Sequence, residues 1–259
     1  MRFYLGTHEL AWMNRTSVPL FVSHRRLAQR KRLPQPIGRW ALDSGGFSEL
    51  SMFGAWKTSG RQYAAAVKRY ASEMGGLDWV APQDWMCEPF MLAKTGKSVR
   101  EHQRLTIDSV VALRGIVGDT AHVIPVLQGW RTADYLRHVE MYERRGFDLA
   151  GEPVVGVGSV CRRQALGEAE RIVMDVAGHG ISVHGFGMKG AAIARYGALL
   201  TSCDSMAWSY AGRRRPDPSC SKKTCANCMH YALAWRERSL NPIGQLALWG
   251  ARAADAEAA

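Results

Sequence analysis

Carboxylates, amides and glycines recur where apolar runs of this sequence end. In the stretch Trp40–Leu50, an apolar run stops at Asp43 and Ser44 and is followed by Gly45 and Gly46. Glycine has no Cβ, so the backbone at such a point can approach a flat ligand closely, and an adjacent carboxylate can transfer protons to it. For an isolated motif of this kind, an ordinary turn that begins at Asp is the alternative interpretation.

The same arrangement recurs at five later run ends: Pro82-Gln83-Asp84-Trp85, Val126-Leu127-Gln128-Gly129-Trp130, Gly156-Val157-Gly158-Ser159, His184-Gly185-Phe186-Gly187 and Asp204-Ser205. Three of the six ends carry a carboxylate. Paired carboxylates can serve as a nucleophile and as a group that transfers protons. The repetition therefore indicates one site rather than six unrelated turns.

A second set of reactive side chains lies near the C-terminus, in the pattern Cys220-x4-Cys225-x2-Cys228-x-His230. Four sulfur and nitrogen ligands at this spacing are typical of a closed, tetrahedral zinc site. The other three cysteines are isolated, which is unlike the disulfide framework of a secreted protein. We therefore predict a structural zinc, with Cys203 as the alternative fourth ligand. An iron–sulfur cluster of the radical type is disfavoured, because its spacing is three then two.

Eight short apolar runs must position the polar run ends: Phe3–Thr7, Leu20–Ser23, Trp40–Asp43, Trp79–Gln83, His122–Leu127, Val154–Val157, Ile181–Phe186 and Ser202–Met206. Segments with apolar residues at helical spacing lie between the later runs: Arg61–Met74, Ser98–Val117, Thr132–Arg145, Arg162–Ala177 and Ala191–Leu200. Eight strand–helix units predict a (β/α)8 barrel, in which the carboxyl ends of all strands meet at one rim. An open, doubly wound sheet is the alternative.

The composition narrows the class of protein. The formal net charge is +11, and nine tryptophans accompany it, which favours a polyanionic partner such as nucleic acid over a merely solvated basic surface. Hydrophobic residues make up 47% of the chain, enough for a core. No apolar run reaches the roughly 20 residues of a membrane span, and no signal peptide is visible, so we expect a cytoplasmic protein.

Taken in order, the run-end motifs resemble those of the tRNA-guanine transglycosylase superfamily. The family's Asp-Ser-Gly-Gly-Phe motif matches Asp43–Phe47, and its later motifs match Asp84, Gln128-Gly129, Gly156–Gly158, Gly185-x-Gly187 and Cys203-Asp204-Ser205. The resemblance covers about residues 40 to 230. It implies an α/β fold, a single (β/α)8 TIM-like barrel with a C-terminal zinc-binding segment, and base exchange through a covalent glycosyl-enzyme intermediate.

The resemblance also implies roles for individual residues. Asp204 matches the nucleophile, and Asp43 matches the group that transfers protons. The expected base-binding residues are Ser44, Gly45, Phe47, Asp84, Gln128, Gly129, Gly158, His184 and Gly185. The expected ligands of a structural zinc are Cys220, Cys225, Cys228 and His230.

The run that follows Asp204, DSMAWSYAGRR, resembles the DNA-modifying (DpdA-like) branch of the superfamily, found in phages and bacterial islands. This branch replaces guanine in DNA with a 7-deazaguanine such as preQ0, so we expect a host-cytoplasmic location if the chain is phage-encoded. The expected partners are DNA, with tRNA as the alternative, the 7-deazaguanine base and a second copy of the chain in a homodimer. The expected phosphate contacts are Arg213, Arg214, Arg215, Lys222 and Lys223.

Two further classes of function remain open at this point. A nucleoside or DNA glycosidase could use the same carboxylates, and a zinc-stabilised nucleic-acid-binding protein would need no catalysis.

We expect a catalytic barrel over residues 1–215, a zinc-binding segment with a C-terminal helix over 216–248, and a disordered tail over 249–259.

Overall fold

The computed structural model describes residues 1–160, 166–221 and 223–241. Within these residues, eight strands belong to one parallel sheet: β1 Arg2–Thr7, β2 Leu20–Ser23, β3 Trp40–Asp43, β4 Leu77–Val80, β5 Val126–Leu127, β6 Val155–Val157, β7 Val183–Gly185 and β8 Ser202–Ser205. The α-helices are α1 His24–Leu27, α2 Gly46–Phe53, α3 Gly60–Glu73, α4 Pro89–Thr95, α5 Val99–Val117, α6 Thr132–Glu143, α7 Leu166–Ala177, α8 Gly190–Tyr196 and α9 Ala207–Arg214. Residues 229–241 are also helical.

The sheet is curled and TIM-like. Its strands follow the order β4-β3-β2-β1-β8-β7-β6-β5, so the first and last strands of the chain are neighbours at its centre. A parallel bridge between Val80 and Val123 links β4 to the segment just before β5. The predicted α/β class with eight parallel strands is confirmed, and the carboxyl ends of the strands lie on the same side.

Every predicted strand is present, and prolines explain two differences in length. The fourth strand was expected to reach Gln83 but ends at Val80, shortly before Pro82. The fifth was expected from His122 but begins at Val126, directly after Pro125. Proline has no N–H to donate to a ladder, so regular pairing stops at these positions.

Two layers of apolar side chains hold the fold together. Alternate residues of a strand point to opposite faces, and β1 shows this directly. Phe3 and Leu5 pack in the larger core between sheet and helices. Tyr4 packs in the smaller core with Trp79 and Val126. The polar residues at the strand ends therefore follow strands that are held in place by apolar packing on both faces.

The predicted helices are present, with small shifts at their ends. The helix expected over 162–177 is observed from Leu166, and residues 161–165 lie outside the described part. Ser98 caps α5, since its hydroxyl accepts the Glu101 N–H at 3.3 Å. The sequence Gly96-Lys97-Ser98 therefore lies at the start of a helix. Helices α1, α2, α4 and α9 were not predicted. Within the described residues, no helix is long and apolar enough to cross a membrane.

Candidate active site

A cavity of about 270 Å³ opens at the carboxyl ends of the strands. Its lining comes from the carboxyl ends of all eight strands and the loops that follow them. Residues that contribute to the wall are Gly6, Thr7, Phe21, Ser23, Asp43, Gly46, Phe47, Ala81, Asp84, Met86, Glu88, Gln128, Gly158, Ser159, Phe186, Gly187, Asp204 and Met206. Three carboxylates that are far apart in the sequence, Asp43, Asp84 and Asp204, thus face one enclosed space. This is the arrangement that the strand-end motifs predicted.

Asp43 is the last residue of β3 and is half-buried in the cavity wall. Burial raises the pKa of its carboxyl group, and the negative charge of Asp204 raises it further. Hydrogen bonds from the Gly45 N–H and the Ser23 hydroxyl, together with the Arg25 charge, oppose this shift. A carboxyl group whose pKa is raised keeps its proton to a higher pH and can deliver that proton to a leaving group.

The loop after Asp43 needs glycine at its turn. Gly45 has φ +83° and directly precedes α2, a left-handed conformation that side-chain-bearing residues rarely adopt. A Cβ there would also lie 2.8 Å from Cγ of Arg25. Gly45 therefore shapes the turn, while Gly46 and Phe47 supply the cavity wall.

Asp84 and Gln128 are hydrogen-bonded neighbours in the cavity wall. The Gln128 side-chain amide donates to Oδ2 of Asp84 at 2.5 Å. Burial, and then the charge of Asp43, raise the pKa of Asp84 to about 7. A Cβ at position 158 would overlap the Gln128 amide, so only glycine leaves room for it. This pair presents an acceptor and an amide to a flat, hydrogen-bonding ligand.

Asp204 lies in β8 and is 5% exposed. One of its carboxylate oxygens accepts the Gly187 N–H at 2.9 Å. His184 Nε2 lies 3.4 Å from the same oxygen, and His184 Nδ1 lies 2.8 Å from the Ser202 hydroxyl. The Gly187 N–H and His184 hold this carboxylate in position, and a carboxylate held in this way can act as a nucleophile.

Not every predicted base-binding residue lines the cavity. His184 is fully buried beneath Asp204, where its ring contacts Trp79 and Phe186. Gly129 packs against Tyr135, and Gly185 packs against Met188. These three residues therefore lie behind the lining residues and support the cavity wall.

Ser44 is also away from the lining. It is buried, and its hydroxyl has no hydrogen-bond partner within the described residues.

The aromatic faces of the cavity are phenylalanines. Phe47, Trp85, Trp130 and Trp208 lie close to strand ends in the sequence, where an aromatic ring could stack on a flat base. Phe47 lines the cavity, and so do Phe21 and Phe186. Trp208 instead lies in the core, where its indole donates to the Gly6 carbonyl at 2.8 Å. A short apolar run does not reveal which of its residues points inward, so Phe21 was missed.

Glu88 and Ser159 are polar lining residues to which the sequence analysis assigned no role. Glu88 is 2% exposed, and its carboxylate lies 2.9 Å from the Ser159 hydroxyl. Ser159 has φ 55°, which is unusual for a residue with a side chain. A glutamate before a proline reads locally as a helix start, and only the contact with a residue 71 positions away shows its place in the site.

The predicted metal ligands come together at the C-terminal segment. The ligand atoms of Cys220, Cys225 and His230 all lie within 4.8 Å of one another. The Cys228 sulfur lies 3.7 Å from that of Cys220. Burial and the neighbouring thiols raise the pKa of Cys228 to about 11. Crowded thiols of this kind could hold a metal, because a cation would stabilise their ionised forms.

The basic residues expected to contact phosphate surround the end of α9. Arg213, Arg214 and Arg215 are exposed, and so is Lys223. The Arg214 guanidinium stacks over the ring of Tyr210, with its carbon 4.4 Å from the ring centroid. Lys222 lies outside the described residues.

Asp84→Asn is expected to stabilise the protein at pH 8. The folded protein retains a proton on Asp84 between its unfolded pKa of 3.8 and about 7. Stability therefore falls as the pH rises through this window, and the ionised carboxylate is a net cost above it. The neutral amide removes this cost, so the gain should be a few kcal/mol at pH 8. Chemical denaturation at pH 4 and pH 8 measures it.

The gain in folding stability from Asp84→Asn should vanish near pH 4, where Asp84 is protonated in the folded state. Asp119→Asn, at an exposed position, serves as the control and should change stability little at either pH. Equal gains for Asp84→Asn at both pH values would show that the effect does not come from ionisation.

Comparisons with known proteins agree with the sequence motifs. A family model described as "DpdA: DeoxyPurine in DNA protein A" matches residues 1–256. No curated protein matches the chain. One solved structure, of a protein from Sinorhizobium meliloti in an open-loop conformation, is similar over 79% of this chain at 15% identity and a TM-score of 0.43. This chain spans 50% of that protein, and a similarity at this level carries no argument about function.

Proposed function

Because the chain belongs to the DpdA family, we propose that it is a base-exchange transglycosylase which replaces guanine in DNA with a 7-deazaguanine derivative such as preQ0. The observation that carries the proposal is the cavity in which Asp43, Asp84 and Asp204 converge beside Gln128. Two of these carboxylates can perform glycosyl transfer, and the third can bind the base. A protein that only binds nucleic acid would not need three carboxylates in one apolar-walled cavity.

The proposed reaction has two steps. An oxygen of Asp204 attacks C1′ of the deoxyribose while the bond from C1′ to N9 of guanine breaks, and Asp43 gives its proton to the departing base. In the second step Asp43 takes the N9 proton of the 7-deazaguanine. The N9 of that base then attacks C1′, and the bond to Asp204 breaks to restore its carboxylate. Covalent capture divides one difficult displacement into two easier ones.

The opposite wall is proposed to recognise the base. A guanine-type base presents the N1–H and the exocyclic amine as donors, which an ionised Asp84 can accept. Gln128 and Gly158 line the same cavity, and Gln128 and the backbone at Gly158 are proposed to contact the other polar edge. Phe47, with Phe21 and Phe186, supplies apolar contact to the faces of the ring. His184 is proposed to orient Asp204 from below.

DNA is proposed to reach the cavity with the target base flipped out of the helix, because the reacting carboxylates lie inside a cavity that a stacked base cannot enter. Arg213, Arg214, Arg215 and Lys223 are proposed to hold phosphates, as is Lys222. The catalytic unit is proposed to be a closed (β/α)8 barrel over residues 1–215. Residues 216–248 would form the zinc-binding segment, and the tail expected over 249–259 lies outside the described residues.

The metal is proposed to be a structural zinc. Three thiols and an imidazole form the donor set that a closed zinc site uses. Cys220, Cys225, Cys228 and His230 would hold it, and it would fix the segment that follows α9. No step of the proposed reaction involves the metal.

Mass spectrometry of nucleosides tests the proposal. Duplex DNA and tRNA would each be incubated with the protein and preQ0, then digested. We expect the 7-deazaguanine deoxynucleoside from DNA and free guanine in equal amount. Guanine release without incorporation would indicate a glycosidase, and incorporation into tRNA alone would indicate the RNA-modifying branch. The inactive control is the Asp204→Asn variant.

A further inference from the structure

Four side chains of the cavity wall form a continuous hydrogen-bonded chain, here called the Asp84–Glu88 chain. Gln128 contacts Asp84 Oδ2 at 2.5 Å through its side-chain nitrogen. The Gln128 side-chain oxygen lies 2.8 Å from the Ser159 hydroxyl, which in turn lies 2.9 Å from Glu88 Oε2. Two carboxyl groups are therefore connected through one amide and one hydroxyl.

The number of protons in this chain is restricted. The Ser159 hydroxyl accepts the Cys87 N–H at 2.9 Å and carries a single proton of its own. It can donate that proton to Gln128 or to Glu88, but not to both. With both carboxyl groups ionised, one contact of the chain would therefore bring two acceptors together without a proton between them. A buried contact of that kind is costly.

Two arrangements satisfy every contact, and each holds one proton on a carboxyl group. In the first, Glu88 is protonated and donates to Ser159, Ser159 donates to Gln128, and Gln128 donates to an ionised Asp84. In the second, Asp84 is protonated and the amide of Gln128 is reversed, so that Ser159 donates to an ionised Glu88. Rotation of one hydroxyl and one amide, with transfer of one proton, interconverts them.

We propose that Glu88 is a positioning residue for base recognition, which holds the shared proton so that Asp84 is ionised when the base binds. A guanine-type base offers N–H donors to this wall, and only an ionised carboxylate accepts them without donating in return. Binding of the base therefore selects the first arrangement. This inference rests on the proposed function, because it concerns the same base.

Charged and titratable groups from several helices, strands and loops surround the Asp84–Glu88 chain. Asp43 at the end of β3 and the Cys87 thiol lie nearest on the Asp84 and Glu88 sides. Asp134 and Arg137 of α6 act on the same loop, with opposite effects on the Cys87 pKa. Burial and the charge of Asp43 raise the pKa of Asp84 to about 7, so this wall retains a carboxyl proton up to about neutral pH. The geometry of the hydrogen bonds carries the inference independently.

Glu88→Gln tests the inference, because its amide can donate to Ser159 permanently but cannot lose a proton. Equilibrium binding of preQ0 to the whole protein would be followed by tryptophan fluorescence from pH 5.5 to 8.5. In the unmodified protein we expect affinity to fall at both ends of this range, by about tenfold per pH unit on the alkaline side for loss of one proton. In Glu88→Gln the loss of preQ0 affinity at alkaline pH should disappear. The loss of affinity at acid pH, which comes from protonation of Asp84, should remain.

Ser159→Gly provides the second variant. Glycine tolerates the positive φ at this position, so it removes the hydroxyl without straining the backbone. Affinity at the optimum should fall roughly tenfold or more, because Gln128 loses its donor. Glu143→Gln, at an exposed glutamate of α6, should leave the profile unchanged.

The outcomes separate the inference from the proposed function. An alkaline fall that persists in Glu88→Gln with the same midpoint would overturn the role of Glu88 while leaving base exchange intact. If the unmodified protein binds no preQ0 at any pH and performs no exchange, the proposed function fails and the inference fails with it.

Discussion

Asp204→Asn is expected to abolish base exchange, lowering the rate by about 10⁴-fold or more, as removal of a covalent nucleophile does. The asparagine keeps the shape of the side chain and can still accept the Gly187 N–H through its carbonyl oxygen. It cannot form a stable bond to C1′, so the protein–DNA adduct should disappear. DNA affinity, measured by fluorescence anisotropy, should remain nearly unchanged because the phosphate contacts are elsewhere.

Asp43→Asn is the matched comparison. The two carboxylates face the same cavity, but their surroundings differ. Asp204 accepts the Gly187 N–H at 2.9 Å, and this bond holds the proposed nucleophile in place. Burial raises the pKa of Asp43, which favours a proton donor. Loss of the proton donor should cost about 10²- to 10⁴-fold in rate.

A denaturing gel with labelled DNA distinguishes the two roles. We expect an adduct with Asp43→Asn, because capture of C1′ by Asp204 remains chemically feasible. An adduct that persists in Asp204→Asn and is lost in Asp43→Asn would reverse the two assignments.

Cys225→Ser is expected to lower the melting temperature by roughly 10 °C or more, since metal binding is coupled to folding and a few kcal/mol correspond to such a shift. Cys225 is fully buried, and its N–H donates to the Gly212 carbonyl at 2.9 Å. The Ser209 hydroxyl donates to the Ala226 carbonyl at 2.8 Å. The segment with the clustered cysteines thus holds α9 in position. This helix directly follows β8, which contains Asp204.

Metal content and thermal unfolding would be measured together. A chelator should reproduce the loss in the unmodified protein, and added zinc should reverse it. Cys203→Ser is the control, because Cys203 is buried in β8 outside the cluster and its substitution should leave the metal content unchanged. A metal-free protein that keeps its melting temperature would contradict a structural metal.

The strands and most long helices were predictable because their signals are local. A strand alternates its side chains every second residue, and a helix repeats about every 3.6 residues, so both periods appear in the sequence itself. The strand ends at Asp43, Asp84 and Asp204 were predictable for a related reason. In a parallel α/β fold, polar residues that follow apolar strands meet on one side of the sheet.

The inner side of the site depended on tertiary structure. Whether Phe21 or Trp208 faces the cavity depends on how the sheet curls, and no local period records that. Nor does the sequence around Glu88 indicate a buried partner. The contact between Glu88 and Ser159 joins residues 71 positions apart, and Ser159 reaches it from a left-handed backbone conformation.

The sequence by itself therefore determined the fold class, the order of the strands along the chain, the three carboxylates and the cluster of cysteines. Each follows from residue type and spacing over a few positions. Tertiary structure decided which aromatic rings line the cavity, placed His184 beneath Asp204 and connected Asp84 to Glu88. These features arise when the curled sheet brings distant strand ends within hydrogen-bonding distance, because a buried polar group must then find a partner among whatever neighbours the fold supplies.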